Sequence, residues 1–162
     1  MIREDGDDAA RLLALLTEER ADLVVLAGYL KLVPPTVVAA WAGRMVNVHP
    51  ALLPAFGGAG LYGRRVHEAV LAAGARVSGS TVHLVDERYD HGHILAQWPV
   101  PVRPGDTPET LAARVLEAEH RLLPAVVRAW ARAGSAAALS FRADAFGPAG
   151  GLPPRLDDAF AP

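Results

Sequence analysis

The stretch Met45-Val46-Asn47-Val48-His49-Pro50-Ala51-Leu52-Leu53-Pro54 decides how this chain folds and where its chemistry lies. Met45, Val46 and Val48 supply the bulk that suits a pleated strand, and Pro50, with no N–H for a ladder, ends it. Side chains alternate along a strand, so Asn47 and His49 project from one face, a pleat apart. In an open α/β sheet ligands bind at the carboxyl ends of the strands, which is where this pair falls. Imidazole titrates near neutrality and can move a proton, and an asparagine NH2 can hold a developing oxyanion. The pair is therefore either a polar cap on the turn before two prolines or half of a catalytic set. The rest of the chain decides between them.

Upstream, Asp7 or Asp8 is placed to cap a helix running to about Arg20, with Leu12, Leu13, Leu15 and Leu16 on its apolar face. Leu23-Val24-Val25-Leu26-Ala27 is a continuous apolar run too short for a helix, and predicts a strand covered on both faces, as in a parallel sheet. Pro35 suits the first turn of a helix reaching Trp41, and Gly43 closes that helix before the strand Arg44 to His49. Strand, helix and strand with short connections predict a parallel crossover.

Downstream, residues 57–63 hold four glycines, which predicts a mobile loop. It lacks the Gly-Lys-Ser/Thr ending of a nucleotide P-loop, although Arg64 and Arg65 leave a phosphate cradle open. A short helix from Val66 to Ala73 closes on Gly74. Arg76 to Val85 then alternates like a strand, with Thr81 and His83 on one side. Asp86 to Gly92 is a charged turn, and His93 to Val100 a return strand, together a β-hairpin. Thr107 caps a last long helix with Pro108 at its first position and Gly134 as its stop; Pro124 inside it should kink it. Its apolar stripe is Leu111, Val115, Leu122, Val126 and Trp130, and Glu119 lies in the middle of that stripe, where a leucine is expected. A carboxylate there is either paired in the core or aimed into a site. Residues 1–134 thus read as one catalytic domain, and residues 135–162 as a low-complexity, disordered tail.

With 162 residues, 51% of them hydrophobic and 21% charged, the chain has the composition of a soluble globule large enough to bury a core. A net charge of −2 offers no basic surface for nucleic acid, and no apolar run approaches a membrane span. No signal peptide is legible at Met1 to Asp5, so the expected compartment is the cytoplasm. Zero cysteines exclude disulfides, thiolate metal sites and cysteine nucleophiles. Asp90-His91-x-His93 places metal-type ligands on one turn without a further partner nearby, and no metal is expected. Trp41, Trp98 and Trp130 are expected in or near the core.

An amide, a base that works near neutrality and a carboxylate suit acyl transfer through a tetrahedral intermediate. Asp90 is the carboxylate best placed to fold back over the strand end from the hairpin tip, and Asp86 competes with it. Spacing alone leaves both open. His83, on the face of Thr81, is expected to be hydrogen-bonded behind the site.

Val24 to Val33, the stretch Arg44 to Pro54, then Ser78-Gly79-Ser80-Thr81-Val82-His83 and Asp90-x-Gly92 resemble phosphoribosylglycinamide formyltransferases of the folate-dependent formyltransferase family. The likeness runs from about Asp22 to Gly134. It implies an α/β, Rossmann-like, mostly parallel sheet ending in a β-hairpin and a long closing helix. It implies an enzyme of purine synthesis that passes formyl from 10-formyltetrahydrofolate to the amine of 5-phosphoribosylglycinamide, with small-molecule partners and room for a homodimer. By resemblance Asn47 binds the formyl oxygen, His49 is the general acid/base, and Asp90 raises its pKa and orders a water. Leu30, Lys31, Leu32 and Val33 correspond to the folate-binding loop. Glu119, beside His120, corresponds to the glutamate that contacts the glycinamide substrate.

Two departures from the family pattern stand out. His93 replaces the proline of Asp-x-Gly-Pro. The strand and Gly/Asn/Ser loop that hold the substrate phosphate in the family, with two further strands, would precede Met1, so the domain is expected to be N-terminally truncated by about a third. Formyltetrahydrofolate hydrolase is the nearest rival, but it reads His-His-Ser where this chain has His49-Pro50-Ala51. Methionyl-tRNA formyltransferase would require an RNA-binding domain after Gly134. The non-enzymatic alternative is a remnant that at most binds folate.

Overall fold

The apolar run before the Asn-x-His stretch forms a short strand, β1 (Val24–Leu26), and the stretch itself opens as β2 (Met45–His49). The computed structural model describes residues 6–136, so most of the expected tail, residues 137–162, lies outside the described residues. Four helices and two more strands complete the order: α1 (Gly6–Glu18), α2 (Pro35–Ala40), α3 (Arg64–Ala72), β3 (Val77–Leu84), β4 (Ile94–Pro101) and α4 (Pro108–Ala133). Because α1 begins at Gly6, Asp8 sits inside its first turn and does not cap it. At the other end α4 has both expected devices: the Thr107 hydroxyl accepts from the Thr110 N–H, and Gly134 closes the helix in the left-handed conformation at φ 72°. Pro124 lies in its interior without ending it.

The strands form one sheet in the order β1-β2-β3-β4. The β1–β2 pair joined through α2 is parallel, as the short crossover predicts, and β3–β4 is an antiparallel hairpin. The β2–β3 pair is also antiparallel, so the sheet is mixed and the expectation of a mostly parallel sheet is corrected. The physical reason lies in α3 and its flanking loops, which return the chain to the end of β2 from which it left, so β3 runs back alongside. The α/β class itself stands.

Alternation along β2 divides the core. Met45 packs with Val33, Val37, Val38 and Trp41 and with the leucines Leu12, Leu13 and Leu16 of α1. Val46 points the other way, into the larger cluster of Val70, Val82, Trp98, Leu111, Val115 and Leu122 under α3 and α4. Trp41, Trp98 and Trp130 are all buried. β1 is covered less than expected: it pairs with β2 along one edge only among the described residues, and Val25 is 40% exposed. An edge strand has a free ladder and an open flank where a central strand has neighbours on both sides. Among the described residues no helix is long and apolar enough to cross a membrane.

The close approach of β3, β4 and the loop after β2 needs Gly79. A Cβ there would fall 2.2 Å from the Trp98 carbonyl oxygen and 2.6 Å from a Leu52 methyl, so Leu52 and the loop that carries it can lie flat on the sheet only over a glycine.

Candidate active site

The antiparallel register places Asn47 opposite His83 and His49 opposite Thr81, so the carboxyl end of β2 meets two polar side chains of β3 on one face. The loop after His49 is fixed from beneath. The Thr81 hydroxyl donates to the Ala51 carbonyl at 2.6 Å and accepts from the Leu53 N–H at 3.0 Å. The Gln97 amide donates to Thr81 Oγ1 at 3.0 Å and to the Leu53 carbonyl at 2.8 Å. One donor and two lone pairs exhaust what a hydroxyl can offer, so Thr81 is saturated and the loop is held at three points.

His49 is 4% exposed. Its Nε2 lies 2.8 Å from the Phe56 carbonyl, which can only accept, so Nε2 carries a proton. That leaves Nδ1 as the basic atom of the neutral ring, and Nδ1 faces Asp90 Oδ2 at 3.4 Å. Phe56 and Asp90 both stand in the left-handed region, at φ 57° and φ 52°, an unusual conformation for two non-glycine residues flanking one imidazole. Burial pushes the His49 pKa below its ordinary value; the charge of Asp90 pulls it up but does not offset the desolvation. The net direction is thus opposite to the one expected of Asp90 alone, because the ring is buried more deeply than a strand end suggests. Neutral His49 is a base ready to accept a proton.

Of the two competing carboxylates, Asp90 is the one at the imidazole. Asp86 is turned away to His91 Nδ1, at 2.7 Å on the hairpin tip. Burial works against the Asp90 charge, but the Gly58 N–H at 2.9 Å and the His49 imidazole beside it hold the carboxyl below its usual range; His83 Nε2, at 3.7 Å, is beyond hydrogen-bond reach. Sequence reasoning took the glycine loop as mobile and missed this contact. A Cβ on Gly57 would meet a Leu53 methyl at 2.4 Å and Asp90 Cβ at 3.1 Å, so the first two glycines of the loop bed the carboxylate. Arg64, kept open as a phosphate ligand, is ion-paired with Glu68 at 2.6 Å and with Glu109, and Arg65 lies over the Tyr62 ring.

Asn47, His49, Asp90 and Arg64 border a cleft of about 930 Å³ whose wall includes Gly28, Tyr29, Tyr62, Tyr89 and, from α4, Glu119 and His120. Leu30 borders it too. Its neighbours in the expected folate segment lie elsewhere: Lys31 and Leu32 are exposed and Val33 is buried in the core under α2. His67, which sequence reasoning left as structural, is a buried part of the cleft wall, and its Nδ1 meets no hydrogen-bond partner among the described residues.

Glu119, the carboxylate in the apolar stripe, opens onto this cleft and is held up to about 7 by burial. A carboxyl whose folded pKa is raised binds more protons folded than unfolded, so its destabilising effect is complete above about pH 7 and gone below its unfolded pKa. Glu119→Gln should therefore stabilise the fold by roughly 1–3 kcal/mol at pH 8 and by little at pH 4.5. Thermal melts at the two pH values check this; an equal effect at both would show that Glu119 is not charged against a desolvation cost.

A mixed α/β sheet with an amide, an imidazole and a carboxylate converging on a cleft at the end of its second strand belongs to a definite family. Residues 3–127 match the formyl transferase family, and the chain is a member of it. It is 56% identical over 125 residues to the chloroplastic phosphoribosylglycinamide formyltransferase of Arabidopsis thaliana, covering 77% of this chain and 43% of that one. Against the phosphoribosylglycinamide formyltransferase of Mycobacterium tuberculosis it is 50% identical over 113 residues, 70% of this chain and 50% of the other. The crystal structure of the Streptococcus pneumoniae phosphoribosylglycinamide formyltransferase superposes with a TM-score of 0.69 at 46% identity, covering 76% of this chain and 66% of that chain. The chain thus spans half or less of the length of these curated relatives.

Proposed function

We propose that this chain carries the formyl-transfer centre of a phosphoribosylglycinamide formyltransferase, acting in purine synthesis on 10-formyltetrahydrofolate and 5-phosphoribosylglycinamide. The observation that carries the reading is the convergence of Asn47, His49 and Asp90 on the cleft that Glu119 also borders. The amine of the glycinamide attacks the formyl carbon, and the carbonyl oxygen becomes an oxyanion that an Asn47 N–H stabilises. The attacking nitrogen must lose a proton and N10 of the folate must gain one. His49, neutral at the outset, accepts that proton at Nδ1, where Asp90 stabilises the cation, and returns it to N10 as the C–N bond breaks. The product is the formylated amine and tetrahydrofolate. Glu119, across the cleft, is the group we assign to the aminated substrate. Incubating the chain with both substrates and following tetrahydrofolate release tests the reading; release that does not depend on the amine would instead indicate hydrolysis.

Asp90→Asn tests the charge alone, since asparagine tolerates the left-handed backbone of residue 90 and can still accept from Gly58. Asp90 raises the His49 pKa, so its neutralisation should move the acid limb of the pH–rate profile to lower pH and slow turnover. Asp86→Asn should leave the limb in place. The reverse pattern would assign the role to Asp86.

A further inference from the structure

Two buried imidazoles face one carboxylate in this site, and a third, His67, is buried in the cleft wall. His49, His67 and His83 are 4%, 4% and 3% exposed, and Asp90 lies 3.4 Å from His49 Nδ1 and 3.7 Å from His83 Nε2. Like His49, His83 has one ring nitrogen tied down by the backbone. Its Nδ1 lies 2.8 Å from the Leu84 carbonyl, an acceptor only, so Nδ1 carries the proton. The Leu84 carbonyl is itself confined: a Cβ at position 92 would sit 1.8 Å from it, so Gly92 is what leaves this oxygen in place to receive the His83 N–H. With the ring's proton held on Nδ1 by the Leu84 carbonyl, Nε2 is the atom left to accept. The atom facing that lone pair is Asn47 Nδ2, at 3.1 Å.

We propose that His83 is the positioning residue that orients the Asn47 amide. An asparagine side chain turned over by half a revolution exchanges its NH2 for its carbonyl, and only one of the two orientations offers an N–H to a substrate oxygen. A bare Nε2 selects the orientation with NH2 toward β3. It takes one of the two N–H groups and leaves the second, about 120° away, directed by the first. The chain of contacts runs from Gly92 through the Leu84 carbonyl and the fixed tautomer of His83 to Asn47, with no contact between His83 and the reacting atoms. This rests on the formyl-transfer reading for its kinetic consequence but not for its structural one, and the two are tested separately.

In the unmodified chain, nitrogen-15 NMR of the histidine rings should find His83 neutral and protonated at Nδ1. The two Asn47 side-chain N–H resonances should be widely split, with the split collapsing in His83→Phe. Detection of a proton on His83 Nε2 in the neutral protein overturns the proposal whether or not the protein turns over. In the kinetic arm, His83→Phe should lower kcat about 10-fold, the scale of one lost hydrogen bond, with little change in the KM of either substrate. His83→Gln, whose Oε1 can accept the same N–H, should recover most of that loss. In an Asn47→Ala background His83→Phe should have no further effect, because a group acting only through Asn47 has nothing left to orient. Additive losses, or a loss that vanishes in an Asp90→Asn background while the acid limb shifts, would mean that His83 acts through Asp90 and His49, and would overturn the assignment. If the unmodified chain transfers no formyl group, the proposed function fails and the NMR arm still decides the orientation.

Discussion

If the proposed function holds, His49→Ala should lower the turnover of formyl transfer by about 10²–10⁴-fold, the usual worth of a positioned proton-transfer group. The loss should fall on kcat, since the ring lies 4% exposed at the cleft wall and offers the substrates little surface. Removing it also strands the Phe56 carbonyl, which now accepts from Nε2 at 2.8 Å, and sets Asp90 beside an unfilled space. Some fall in stability therefore accompanies the kinetic effect, and His49→Gln separates the two. Glutamine can donate to Phe56 but cannot carry a proton near neutrality, so it should restore the melting temperature and not the rate. In the unmutated protein burial sets the His49 pKa below its ordinary value, so the acid limb of the pH–rate profile should lie below about pH 6.5. Near-normal turnover in the alanine variant would remove His49 from the mechanism.

Asn47→Ala should cost about 10²–10³-fold in kcat, the scale of one lost oxyanion donor, with folate binding largely kept. The side chain is half-buried at the end of β2, opposite His83 and beside the cleft. Asn47→Asp is the sharper probe: it keeps the shape but places a negative charge where the oxyanion forms, so it should be at least as slow as the alanine variant. An aspartate variant faster than alanine would mean that the residue does not face the developing charge.

Much of this site could be read directly from residues 45–54. Alternation along a strand put Asn47 and His49 on one face, and that inference needed no knowledge of neighbours. Glu119 announced itself the same way, as a carboxylate where helical periodicity wanted a leucine, and it does open onto the cleft. What could not be read was pairing between distant strands. Nothing in the pattern of Arg76 to Val85 states whether it runs with or against β2, so the meeting of Asn47 with His83 was out of reach. Backbone partners were equally hidden, because the Phe56 carbonyl and the Gly58 N–H exist at every residue and only a fold selects them. The net lowering of the His49 pKa was hidden for a related reason: the upward pull of Asp90 can be guessed from its charge, whereas burial, which outweighs it, is a property of the assembled molecule.

The β2–β3 ladder has a further meaning for how this centre tolerates change. Asn47 and His49 face His83 and Thr81 through direct cross-strand partnership, while 27 residues, 50–76, pass between the two strands. The ladder fixes how the Asn47 amide meets the His83 imidazole, and the length of the connection does not. Lengthening that connection by a few residues beyond the pinned segment 51–58 should leave the metric untouched, whereas a slip of a single residue in the ladder turns both side chains to the opposite face at once. Variation in length is thus admitted where the chain is long and refused where it is paired, so the reaction geometry is inherited as an all-or-none unit even as its surroundings drift.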